Sequence, residues 1–428
     1  MADKFDCIIV GGGVAGSTAG YMLARVGLEV LIVERGNFSG AKNMTGGRLY
    51  SHSLESIFPD FAQSAPVERK VTREKVSFMT QDSAVTMDFQ SDRLGFQSKD
   101  SYVVLRSQFD RWLADQAEEA GAMVASGILV DELLVRDGRV VGIKAGEDEM
   151  EADVVILADG VNSLLAQQIG MRNEIDPHHV AVGAKEVIEL PPSVIEDRFN
   201  LNGDEGAAWL FAGACSDGMM GGGYLYTNKE SISLGLVIGL GGIGKSEYTV
   251  PELLENFKQH PIIKPLIKGG KLVEYSGHVV PEGGYNAIPK LFGDGVMVVG
   301  DAAGLVINTG YMVRGMDLAI ASAEMAARAF IEAKERNDFS ADSLFCYQKK
   351  LEQSFVIRDM KLYKDFPAFM ENPRIFNEYP ELAAGLLTDL FRIDGVPNKS
   401  LKSKAFSALK KVGLVNLTRD AWKGVNAL

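Results

Sequence analysis

The run DCIIVGGGVAGSTAGYMLARVGLEVLIVERG, from Asp6 to Gly36, constrains this chain more than any other stretch. It holds an apolar strand, a glycine turn, an Ala-rich helix and a second apolar strand that ends in an acid. Gly11 makes the tight turn, Gly13 lets backbone approach a pyrophosphate, and Gly16 lets the helix pack close to the sheet. The first helical N–H groups and the helix dipole then face the phosphates. Val14 and Ala15, between the last two of these glycines, are candidate contacts as well. Glu34 ends the second strand about 20 residues on, where a carboxylate holds ribose hydroxyls. A GxGxxG alone is common. Here every flanking element is in place, and the segment reads as an adenine-dinucleotide fold.

At 428 residues the chain exceeds the usual single core, which predicts two or more subdomains sharing one cofactor. No stretch approaches the ~20 apolar residues of a membrane span, and the first strand is reached without a signal segment, which predicts a cytoplasmic protein. The net charge of −13 excludes nucleic acid as the expected partner. Cys7, Cys215 and Cys346 are dispersed and form no CxxC, which suits a reducing compartment, with Cys7 a small buried hydrophobe in the first strand.

After Glu34 the loop GNFSGAKNMTGGRLY is too rich in Gly, Ser and Asn for a regular element, and Gly46 and Gly47 would admit a flat ligand close to the backbone. Strands are predicted at Lys75 to Met79 and Ala84 to Phe89. Next comes a strand leading into a helix capped at Ser107, with Arg106 at the junction. A hairpin turning at Asp137-Gly138 and the buried strand DVVILADG resume the first sheet. From Val180 to about Val279 the pattern is β-rich and glycine-spotted, as in an inserted domain. Dinucleotide-fold signals return with GVMVVGDAAG, followed by an Ala-rich helix from about Gly315. The expected division is 1–75, 100–175 and 285–335 for the cofactor domain, 76–99 and 180–284 for the insertion, and 336–428 for a mainly helical region.

The second motif is the buried strand running into Gly300-Asp301. A carboxylate there accepts from the ribityl hydroxyls of a flavin, and a helix opening at Gly315-Met316 points N–H groups at the flavin's pyrimidine edge, favouring its reduced state. Arg106 is a candidate for a pyrophosphate or isoalloxazine contact. Asp159, at a strand end, and Val130, before the hairpin, are further candidates. GLGGIG, Gly239 to Gly244, also matches GxGxxG, yet no helix or strand-terminal acid follows, so it reads as a loop and no second nucleotide fold for NAD(P)H is expected. The five histidines have no metal spacing. No nucleophile motif is present, so the chemistry is expected of the flavin. Lysines crowd the last thirty residues beside Leu401, Ala405, Leu409 and Val412. This is the pattern of an amphipathic helix resting either on an anionic membrane or on a protein surface.

With both motifs placed, the chain resembles the electron-transfer flavoprotein:quinone oxidoreductase family and its FixC branch. The resemblance lies in the N-terminal fingerprint, GAKNMTGGRLY, GAKEVIELP, GGGYLYTN, GVMVVGDAAG and NPRIFNEYPELAAG. It implies an α/β, Rossmann-like FAD-binding fold of the glutathione-reductase and geranylgeranyl-reductase type, with an inserted quinone domain. It also implies FAD contacts at Gly11, Gly13, Gly16, Glu34, Arg35, Arg106 and Asp301. Full-length members add a domain with a four-iron cluster, for which three dispersed cysteines cannot supply the ligands. The resemblance thus implies a small separate ferredoxin-like iron–sulphur protein beside the alpha and beta subunits of an electron-transfer flavoprotein. Electrons would pass to a membrane quinone, in some complexes with bifurcation to ferredoxin, and the chain would touch the membrane peripherally. Full-length members also carry a different residue at Asp301 and a Pro where Asn308-Thr309 lies. Three other readings are a prenyl reductase of the geranylgeranyl type, an NAD(P)H-dependent aromatic hydroxylase, and a scaffold with structural FAD. In the quinone reading Trp209, Leu210, Phe211, Met219 and Met220 line a tail groove or form core.

Overall fold

The computed structural model describes residues 4–42, 47–91, 93–94 and 100–428. The predicted fingerprint folds as read: β1 (Lys4–Val10), α1 (Val14–Ala24) and β2 (Val30–Glu34) lie in sequence. Cys7–Val10 of β1 and Val30–Val33 of β2 are buried, as parallel strands covered on both faces require. β1 pairs in parallel with β2, Cys7 opposite Val30, and on its other side with β3 (Asp148–Leu157), which in turn pairs with β4 (Val296–Val298). An eight-stranded sheet results, its edges completed by Phe292–Gly293 and Met123–Ser126. The hairpin Glu132–Arg136/Arg139–Ala145 joins it through β3, turning at Asp137 and Gly138, both in the left-handed region with φ 51° and 81°. The long helix α2 (Met316–Arg336) follows β4 and packs its alanines on the sheet.

A second sheet of nine strands lies in the other half of the molecule. Its path runs Lys271–Pro281, Val180–Glu189, Ser231–Gly239, Gly221–Thr227, Glu205–Gly213, Val67–Met79, Ser101–Val104 and Arg48–Tyr50, with Ala84–Gln90 paired to Val67–Met79. Its membership begins earlier in the chain than the Val180 stretch, because the strand expected at Lys75 starts at Val67 and pairs in parallel with Glu205–Gly213. Trp209, Phe211 and Met219 are core of this half, and Trp209 Nε1 donates to Ser77 Oγ at 2.7 Å.

One local expectation changes, at the start of a helix. The helix Arg106–Glu119 opens one residue before Ser107, with Leu105 at its N-cap and no side-chain cap. GLGGIG forms a short 3-10 turn, Leu240–Lys245, in which a Cβ on Gly241 would stand 2.6 Å from His178 Nδ1, so that glycine serves packing. The C-terminal stripe does not keep one outward face. In Leu401–Val412, Ala408 and Val412 pack inward while Leu401 and Phe406 face outward. Gly413, at φ 87°, then turns the chain into the last helix, Leu414–Ala427. Among the described residues no helix is long and apolar enough to cross a membrane.

Candidate flavin site and the cavity above it

A cavity of about 580 Å³ lies between the two sheets, within the size range of small-molecule sites. Its floor is the C-terminal edge of the parallel sheet, where ligands of open α/β folds bind. Gly11 sits there at φ 105°, and a Cβ on it would be 2.3 Å from Ala158 O, at the end of the neighbouring strand. A Cβ on Gly16 would be 1.8 Å from Gly11 O, so this glycine seats α1 against the turn and does not line the cavity. Gly13 is the N-cap of α1 with no side-chain cap, and Gly13, Val14 and Ala15 all line the floor.

Glu34 is fixed at the end of β2 by two backbone donors: Gly12 N reaches Oε2 at 2.8 Å and Gly36 N reaches Oε1. The extended segment after Ser126 crosses that end through Gly127 N to Gly36 O (2.8 Å) and Ile128 N to Glu34 O (3.0 Å). It brings Ile128, Leu129 and Val130 to the cavity beside Glu34 and Arg35. Leu129 and Ile128, which sequence reasoning missed, add an apolar stretch to the wall beside Glu34.

At the centre, Arg106 lines the cavity and pairs with buried Asp110, Nε to Oδ1 at 2.7 Å and Nη2 to Oδ2 at 2.8 Å. Burial holds the Asp301 carboxyl above its ordinary range, with nearby Arg106 opposing that shift. Burial likewise pushes Asp159 up to about 6, and its Oδ1 is a buried acceptor with no partner among the described residues. Gly300 lies beneath the wall. A Cβ on it would stand 2.9 Å from Ala15 Cβ and 3.4 Å from Ala319 Cβ, so it lets α1 and α2 approach, and its N–H donates to Ser322 Oγ. Gly315 caps α2 without a side-chain bond, and both it and Met316 line the cavity. Gly47 lines it too; Gly46 lies outside the described residues.

The roof comes from the nine-stranded sheet and the C-terminal helices. Leu210, Phe211 and Met220 of the proposed tail groove reach the cavity, whereas Trp209 and Met219 do not. Period-two alternation points His278, Val280 and Glu282 into it from one strand and its end. The hairpin Ile307–Asn308/Val313–Arg314 faces them, and Met360, Tyr363, Pro367 and Met370 close the outer side. Among the described residues no group of three or more His, Cys, Asp or Glu side chains is arranged to hold a metal ion.

These residues fit FAD: a floor with no room for a Cβ at Gly11, two uncapped helix N-termini, a carboxylate at the end of β2 and an orphaned buried acceptor in one wall. The fold and site define an FAD-dependent oxidoreductase with a Rossmann-type cofactor fold. Residues 4–197 match an FAD binding domain family and 366–428 match the ETF-QO/FixC family C-terminal domain. The chain belongs to the electron-transfer flavoprotein-quinone oxidoreductase/FixC family. It is 58% identical over 426 residues to a probable electron transfer flavoprotein-quinone oxidoreductase, YdiS, of Escherichia coli K12, covering 100% of this chain and 99% of that protein. It is 42% identical to protein FixC of Azorhizobium caulinodans, over 95% of this chain and 94% of that one. Among solved structures, a geranylgeranyl bacteriochlorophyll reductase-like protein of Thermoplasma acidophilum has the same fold, with TM-score 0.74 at 20% identity, covering 98% and 99% of the two chains. The flavin-dependent brominase Bmp2 is a more distant match, with TM-score 0.64 at 17% identity over 99% of each chain.

Proposed function

We propose that the chain, with FAD bound, accepts electrons from an electron-transfer flavoprotein and passes them to a quinone held under the roof of the cavity. The bound flavin supplies reversible two-electron chemistry. Gly11, Gly13, Glu34, Arg106, Asp159 and Asp301 hold it, and the N-terminus of α2 favours its reduced form.

One observation carries the choice of acceptor. The short helix Phe366–Met370 puts Pro367 and Met370 in the cavity wall, while Phe369 packs on the last helix, where a Cβ on Gly424 would stand 3.0 Å from its ring. That last helix and the segment before it expose Phe391, Ile393, Phe406, Val415, Trp422 and Val425, all at least 60% accessible. Lys402, Lys410, Arg419 and Lys423 stand among them. Asp420, the only acid in residues 399–428, is withdrawn from this surface. Arg374 donates to both its oxygens and Tyr379 Oη to Oδ2 at 2.6 Å, which holds the carboxyl well below its ordinary range. An apolar and basic surface one helix away from an apolar cavity wall suits a prenyl-tailed acceptor drawn from an anionic membrane. In this reading the nine-stranded sheet is the acceptor domain, and a separate ferredoxin-like iron–sulphur protein and the two flavoprotein subunits complete the assembly, in which electron bifurcation is a further capacity.

The test is co-purification from the native host in gentle detergent. Recovery of FAD with both electron-transfer flavoprotein subunits and a cluster-bearing small protein is expected. An FAD protein free of those partners, turning over a prenyl substrate by itself, would replace this reading with the prenyl-reductase one.

A further inference from the structure

Glu282 is a carboxylate without a cation. It follows the strand Lys271–Pro281, its N–H donates to His179 O at 2.8 Å, and its side chain faces the cavity. Its side-chain partner is an amide: Asn308 Nδ2 lies 3.3 Å from Oε1 and 3.2 Å from Oε2. The amide cannot turn away, because Asn308 Oδ1 accepts from Gly310 N at 3.0 Å, which leaves Nδ2 aimed at the acid. Among the described residues no Lys, Arg or His forms an ion pair with Glu282. Arg314, the nearest cation in sequence on the facing hairpin, is committed to Asp317 (2.7 Å) and Asp359 (2.6 Å). The other titratable groups on this part of the wall are His278 on the same strand, Tyr285 in the next turn and Tyr363 after the helix Phe355–Leu362.

A half-buried carboxyl that meets an amide and, among the described residues, no cation costs stability that an apolar side chain would not. Groups placed at that cost concentrate at reacting centres. The neighbouring wall is apolar, with Met360, Pro367 and Met370.

We infer that Glu282, oriented by Asn308, donates the proton that completes reduction of a quinone carbonyl in this cavity. The inference rests on the quinone reading above. A quinone becomes a quinol by taking up two electrons and two protons. Two electrons and one proton arrive from the reduced flavin as a hydride equivalent. The Glu282 O–H bond breaks as the second quinol O–H bond forms, leaving a carboxylate that accepts from Asn308 Nδ2 and is reprotonated from water. Burial raises this carboxyl to about 7 against the pull of the Asn308 amide, so it carries its proton in mildly acidic solution and recovers it there.

The experiment uses full-length holoprotein, reduced with dithionite, mixed anaerobically with a short-tailed quinone and followed by flavin absorbance. Carboxyl titration of carbon-13 glutamate-labelled protein, with Glu282 assigned by its loss in Glu282→Gln, is the readout independent of turnover. Glu282→Gln should keep the flavin spectrum and slow reoxidation by about 100-fold. Wild-type reoxidation should fall as pH rises through the Glu282 titration, and Asn308→Ala should move that titration upward and slow the reaction less. Reoxidation of Glu282→Gln within about twofold of wild type, or a Glu282 resonance that titrates in the ordinary carboxylate range, overturns the inference and leaves the quinone reading standing. Wild-type reduced protein that no quinone reoxidises overturns both.

Discussion

The floor and the roof of the cavity are built by different means. The floor is backbone: Gly11 under Ala158 O, with Gly16 packed beneath it against Gly11 O, and two helix N-termini without side-chain caps. The roof works with side chains, namely Glu282, Asn308 and His278, set in an apolar frame of Met360 and Met370. A backbone floor admits no larger residue at Gly11. A side-chain roof can be altered atom by atom, and in the reading proposed above the choice of acceptor rests there.

The largest test of that contrast is Gly11→Ala. With φ 105° and only 2.3 Å to Ala158 O, the methyl group has no space, and protein purified from this variant should carry no measurable flavin. Full flavin content would break the claim that the floor is built from backbone. Second in size is Asp301→Asn, which replaces a carboxyl on the central wall with an amide. FAD affinity, followed by fluorescence on titration, should fall about tenfold to a hundredfold.

On the roof, Glu282→Gln should leave FAD affinity within about twofold and change stability with a definite sign. The folded protein holds the Glu282 proton more tightly than the unfolded chain does, since the carboxyl is raised to about 7. That contribution is therefore full below the ordinary carboxylate pKa of about 4.3 and is lost as pH rises through 7. In thermal scans of apoprotein the variant should melt about 2 °C above wild type near pH 8 and show almost no gain near pH 5. A gain at low pH alone would contradict the raised carboxyl. Smallest is Trp422→Ala with Val415→Ala, both exposed. Melting should stay within about 1 °C while binding to anionic vesicles weakens.

The same contrast explains what could be read in the chain. Gly11, Glu34 and Asp301 act through a turn, a strand end and a helix start, each encoded within a few neighbouring residues, and the structure brings all three to one cavity with Arg106 and Asp159. Gly16 and Gly300 belong to the same motifs but lie under the wall, because spacing alone does not distinguish a glycine that touches ligand from one that lets helices approach. Glu282 was missed because PEGG reads as a turn and its partner comes from a hairpin distant in sequence. The alternation of His278, Val280 and Glu282 was the available signal. The nine-stranded sheet gathers Arg48–Tyr50, Val67–Met79 and Ser101–Val104 with strands more than a hundred residues later, and no local pattern specifies such pairing.

The measurement that bears most directly on the function is an anaerobic two-step absorbance experiment on the wild-type holoprotein. Reduced electron-transfer flavoprotein is added first and a short-tailed quinone second. The flavin of this chain should bleach on the first addition and recover on the second, with quinol formed in equal amount. A flavin that ignores the flavoprotein but is reduced directly by NADPH, with oxygen consumed afterwards, would contradict the account.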